Sequence, residues 1–129
     1  MVRCVKRVEV NSIRSMFEKE KLNSDTWGTY LKSFSDNNRG RLVQVQRKIH
    51  EKLYDITTSD MPFQRISTKS TIRGKAITIN FGYNLMNHTF VIESAVDIWH
   101  EYNYEGQTMG IEILNEKHEK IIILFKSYF

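Results

Sequence analysis

Four residues of this chain have the types that chemistry near neutral pH uses: His88, Glu93, Asp97 and His100. Imidazoles and carboxylates bind transition metals and move protons, so the four can be read as one site assembled through space. Their spacing argues against it. Zinc hydrolases carry close pairs such as His-Glu-x-x-His, which put two ligands on one helical face, and this chain has none. The expectation is no metal and no cofactor, and a small enzyme or metal site around His88 and His100 ranks third among the functions.

Nucleophilic chemistry finds less support. The single cysteine, Cys4, lies near the N-terminus with no histidine beside it to lower its thiol pKa. There is no Gly-x-Ser-x-Gly elbow. Gly40, Gly74, Gly82, Gly106 and Gly110 stand apart from one another, whereas a phosphate cradle needs clustered glycines so that several backbone N–H groups can converge on one anion. That spacing excludes P-loop and dinucleotide folds, and no catalytic residue is named.

Charge is distributed unevenly. Residues 1–52 carry 12 Lys/Arg against 6 Asp/Glu, and the remainder carries 7 against 9, which together give the net +4. The basic residues form two rows, Arg39, Arg41, Arg47 and Lys48 on one extended segment and Arg65, Lys69, Arg73 and Lys75 on the next. If those segments pair, the rows merge into a patch complementary to phosphates, which makes RNA or DNA binding the second functional reading. No recognisable nucleic-acid motif accompanies them.

The first reading is a non-enzymatic protein-interaction or regulatory module. Between Glu93 and Glu116 there is no Lys or Arg, and aromatic residues interleave with the acids: Glu93, Asp97, Trp99, Glu101, Tyr102, Tyr104 and Glu105. Tyrosine and tryptophan anchor interfaces because they bury much area with few rotors. These seven residues are the expected partner surface, for a protein partner or for self-association.

The elements that must position these groups follow from periodicity. Trp27, Tyr30, Leu31 and Phe34 fall at i, i+3, i+4 and i+7, which predicts an amphipathic helix capped by Ser24 or Asp25 and stopped at Asn37–Gly40. A shorter helix is expected from Asn11 or Ser12 to about Glu20. Ala76–Phe81 alternates at period two and Ile121–Phe125 is an unbroken apolar run, so both predict strands, as do Leu42–Ile49, Phe63–Lys69, Thr89–Ile92 and Met109–Ile113. Ser94–Tyr102 fits a helical stripe through Ala95, Ile98, Trp99 and Tyr102, and it also fits a strand. Asn115–His118 predicts the turn of the last hairpin.

The order of Trp27-x-x-Tyr30-Leu31-x-x-Phe34-Ser35, Gly40-Arg41-x-Val43, Met61-Pro62-Phe63-x-x-Ile66, Ile77-x-Ile79-x-x-Gly82, His88, Gly110-Ile111-x-Ile113 and Leu124-Phe125 resembles a family of small bacterial domains without assigned activity. The resemblance covers roughly residues 24–126. It implies a Trp-bearing helix followed by antiparallel strands, and it implies no function.

The expected fold class is α+β, with one or two N-terminal helices packed on a curved antiparallel sheet of five or six strands. Residues 1–129 form a single domain, residues 1–10 being a loosely held strand or tail. The expected core is Val43, Val45, Ile77, Ile79, Phe81, Phe90, Ile92, Ile111, Ile113, Ile121, Ile123 and Phe125. No apolar run reaches the roughly 18 residues that span a bilayer, no secretory h-region follows Met1, and one cysteine suits a reducing compartment. These point to a cytoplasmic protein without a membrane partner.

Overall fold

In a computed structural model of the chain, residues 18–57, 59–83 and 86–126 are described. Strand β1 (Glu18–Lys21) leads through a 3-10 turn (Ser24–Thr26) into helix α1 (Trp27–Asn38). Strands β2 (Leu42–Ile49), β3 (Lys52–Asp55), β4 (Met61–Thr71), β5 (Gly74–Tyr83), β6 (Met86–Tyr102), β7 (Thr108–Asn115) and β8 (Lys120–Phe125) follow. All pairings are antiparallel.

Six strands close on themselves. β2, β4, β5, β6, β7 and β8 pair in chain order, and β8 then pairs back to β2 over Val43–Lys48. The result is an up-and-down barrel, with β1 added beside β6 and β3 folded back on β2. β8 sits between β2 and β7, so its unbroken apolar run lies in a central strand and not at an edge, as that run predicts.

Period two decides the interior. Val43 and Val45, Ile77, Ile79 and Phe81, Ile111 and Ile113, and Ile121, Ile123 and Phe125 alternate inward from four strands and join Phe63, Ile66, Ile92 and Ile98 in one core. Phe90 packs against that core half-buried. Each fully buried Val, Ile, Leu or Phe contributes on the order of 1.5–3 kcal/mol relative to exposure.

Helix α1 buries Trp27, Leu31 and Phe34 in the same core. The Phe34 ring meets Phe63 at 5.9 Å, Phe125 at 5.6 Å and His100 at 5.7 Å, so the helix closes the barrel end to which β4, β6 and β8 contribute these rings. Neither Ser24 nor Asp25 caps α1: both lie in the 3-10 turn, which Asn23 caps by accepting the Asp25 N–H at 2.9 Å, and Thr26 is the N-cap of α1 without a side-chain bond. Gly40, at φ +90°, ends the helix as its sequence position predicts.

The expected fold class is overturned. The described residues are predominantly strand, with one 12-residue α-helix and eight strands among them, rather than one or two helices lying on a five- or six-stranded sheet. Two segments account for the difference. Ser94–Tyr102 is strand, because Ile98 and His100 face the barrel while Trp99 and Glu101 face outward, a two-residue rather than a helical repeat. Glu18–Lys21, the described end of the expected first helix, pairs with Trp99–Tyr102 as strand. The remainder of that helix, the strand or tail at residues 1–10 and Cys4 lie outside the described residues.

Candidate functional site

The acidic–aromatic stretch does not form one surface. β6 carries it, and alternation along a strand sends successive side chains to opposite faces. Asp97, Trp99 and Glu101 face outward, while Tyr102 lies inward with its ring 5.4 Å from that of His100. Tyr104 and Glu105 are exposed on the β6–β7 loop, and Glu93 is exposed at the opposite end of the barrel.

On the outer face the acids are matched by lysines. Lys21 pairs with Asp97 at 3.3 Å; Lys19 and Lys120 pair with Glu112 at 3.0 and 3.3 Å. All three ammonium groups lie 5.5–5.9 Å from the centre of the Trp99 ring. Glu101 is 1% exposed and Glu112 2%, so neither carboxyl is offered to a partner. Burial pushes the Glu112 pKa up. The hydrogen bonds from Glu101 and Lys19 and the charges of Lys19 and Lys120 outweigh it and hold the group well below the usual carboxylate range.

The two basic rows do not merge. β2 and β4 pair only at Leu42–Pro62 and Val43–Met61 before diverging. Arg41 is a structural clamp: its guanidinium donates to Asn38 Oδ1, Thr108 C=O and Lys126 C=O, each at 2.9 Å, and lies 4.9 Å from the Phe125 ring centre. Arg47 turns into the barrel mouth and pairs with Glu119 at 2.9 Å, and that hydrogen bond is the main cause of a lowered Glu119 pKa. Lys75 crosses the Trp27 ring to reach Ser24 C=O at 2.8 Å. Arg39 binds Asp36 and the Gln64 carbonyl, both at 3.1 Å. Lys69 and Arg73 are exposed, as is Arg65, and Lys48 is half-buried.

The four candidate metal ligands are strung along β6 rather than gathered. His88 stacks on Phe81 at 5.5 Å, twelve positions before His100. His100 has both ring nitrogens engaged, Nδ1 with the Tyr30 hydroxyl and Nε2 with Thr108 Oγ1 at 2.9 Å. Burial lowers its pKa against the opposing charge of Glu20, so the ring is neutral. Burial, Glu20 and Tyr102 push Tyr30 up to about 12, so its hydroxyl keeps its proton. This trio borders a polar cleft of about 460 Å³ between α1 and the β6–β7 loop. No group of three metal-ligating side chains occurs among the described residues.

The feature that sequence reasoning missed is a strand edge. β6 pairs with β5 from Met86 to Ala95, but β7 joins its other edge only from Ala95 to Tyr102. Ser94, at φ +55°, marks the changeover, and its carbonyl accepts the Glu116 N–H at 3.0 Å. Along Asn87–Glu93 no strand among the described residues covers the second edge. The barrel mouth opens beside it as a cavity of about 360 Å³, with Phe90, Ile92 and Ile121 below and Arg47, Arg73, Glu93, Glu119 and Lys117 around it.

Among the described residues the other edges carry lysines or are covered in part. The described part of β1 holds Lys19 and Lys21, and β3 is four residues beginning at Lys52. The outer edge of β4 is covered by chain and helix as far as Ile66: Gly40 N–H binds Phe63 C=O and Phe63 N–H binds Arg41 C=O, both at 2.8 Å, and Ser35 covers Ile66. Asn87–Glu93 has no lysine, arginine or proline, and that is the signal in the sequence that could have found it. No family model, curated protein or solved structure matches this chain, so its residues alone carry the argument.

Proposed function

We propose that the chain is a protein-interaction module that receives an extended polypeptide strand along Asn87–Glu93 of β6. The observation that carries it is the unguarded edge of β6 beside an open barrel mouth. An added strand gains main-chain hydrogen bonds from such an edge, and its alternate side chains reach whatever pocket lies next to it. Here those side chains meet Phe90, Ile92 and Ile121 on one face and solvent on the other. The interaction class is the one the acidic–aromatic stretch suggested, but of those residues only Glu93 lies at the edge.

Groups with catalytic potential are committed elsewhere. His100 is neutral and doubly hydrogen-bonded, and Glu101 and Glu112 are buried beneath Lys19 and Lys120. The test is selection of binders from a displayed library of random peptides, followed by amide exchange on the complex. Bound peptides should be extended and should slow exchange in residues 87–93. Peptides that protect the β6–β7 loop or the Trp99 face instead would refute the assignment.

A further inference from the structure

We infer that the strand covering Asn87–Glu93 is the same segment of a second copy of this chain, paired antiparallel about a two-fold axis at Phe90. The inference rests on the strand-addition reading above and names its partner. Three properties of the edge support it.

First, the edge is self-complementary. With Phe90 on the axis, Thr89 faces Val91 of the second copy, His88 faces Ile92 and Asn87 faces Glu93. Glu93 is the one carboxylate in the segment and there is no Lys or Arg, so no like charges are set opposite one another. Second, a two-fold contact covers the same edge on both copies at once and closes the assembly, leaving nothing to propagate. Third, Val91 is 48% exposed on the outer face, an apolar β-branched residue at the centre of an uncovered edge. A Thr-Phe-Val-Ile run with no lysine, arginine or proline invites pairing, whereas the described edges of β1 and β3 carry lysines.

The experiment is sedimentation equilibrium of the full chain and of two double variants. Thr89 and Val91 are exposed, so substitutions there leave the core intact; T89K also loses the 2.9 Å bond from Asn80 to Thr89, and thermal melts check the fold of each variant. The unaltered chain should be dimeric. T89K/V91K sets two lysine pairs across the axis and should weaken the dimer by about tenfold or more. T89K/V91E sets two opposite-charge pairs in the same register and should restore it.

A chain that is monomeric at all concentrations overturns the second copy as partner, and peptides protecting residues 87–93 would then leave the strand-addition reading standing. A dimer that ignores both variants, or that both weaken equally, overturns the pairing about Phe90. Failure of self-association together with failure of peptide capture at this edge overturns both.

Discussion

Ser35 takes the place of a neighbouring strand for Ile66. Its hydroxyl accepts the Ile66 N–H at 2.9 Å, and its proton is shared between Ile66 C=O at 3.1 Å and Leu31 C=O at 2.8 Å. A helix residue thereby covers the part of β4 that β2 leaves when the two strands diverge after Val43. Ser35→Ala strips these partners from a buried peptide unit and should cost about 1–3 kcal/mol, offset by a few tenths from the better helix propensity of alanine. Urea unfolding measures it. A loss below about 0.5 kcal/mol would mean that water replaces the hydroxyl.

Two glycines that look alike in sequence should respond oppositely to alanine. A Cβ on Gly110 would lie 2.6 Å from the backbone oxygen of Ile123 and 3.1 Å from Glu101 Oε1, so β8 or the buried carboxyl must move. Gly110→Ala should destabilise by about 1–3 kcal/mol through overpacking. A Cβ on Gly28 would meet only Thr68 Cγ2, at 3.9 Å. Gly28→Ala should gain up to about 1 kcal/mol from helix propensity. Thermal midpoints that shift in the same direction would contradict this contrast.

Stability should fall as His100 is forced to protonate. Burial lowers its folded-state pKa below the ordinary 6.5, so the unfolded chain binds the proton first. The contribution is complete above pH 6.5 and is lost as pH falls below that value toward the folded pKa. Protonation also leaves the ring with no acceptor nitrogen for the Tyr30 and Thr108 hydroxyls. Unfolding free energy should therefore slope downward on acidification below pH 6.5, and His100→Gln should flatten that slope. An unchanged slope in the variant would assign it to other groups.

Glu112 should be the strongest electrostatic tie on the outer face. Glu112→Gln leaves Lys19 and Lys120 facing a neutral amide and should cost about 2–4 kcal/mol, near the lower end of values for broken buried pairs because both lysines reach solvent. Lys19→Ala removes a side chain that is 42% exposed and should cost about 1 kcal/mol or less. The folded-state pKa of Glu112 is depressed, so its contribution is present above the ordinary value of 4.5 and is lost as pH falls below it. Acid unfolding should begin at higher pH in a Lys19→Ala, Lys120→Ala double variant. If it does not, those ammonium groups are not what holds the carboxylate ionised.

Local order was legible because it is written at short range. Trp27, Tyr30, Leu31 and Phe34 predict α1 from a spacing within eight residues, and all twelve expected core residues belong to the barrel core or pack against it. Lys19, Lys21, Glu101 and Glu112 could not be read the same way. The acids look like a solvated run until β1 brings Lys21 and Lys19, the latter 93 residues before Glu112, and the β7–β8 hairpin brings Lys120, onto the same face. Arg41 and Lys75 likewise look like members of a basic row, yet Arg41 holds Asn38 of the helix and Lys126 after β8, and Lys75 holds the turn before the helix.

The residues by themselves determined α1 and the strands with a clear period-two or unbroken apolar pattern, because those preferences act between neighbours along the chain. They left Ser94–Tyr102 open and pointed to helix at residues 18–20, which are strand. Tertiary structure alone decided that β8 returns to β2 to close a ring, that β6 outruns β7 by the length of Asn87–Glu93, and that no strand among the described residues covers this edge. Strand pairing depends on register between segments tens of residues apart, and a period-two pattern is compatible with many registers until all six strands close together.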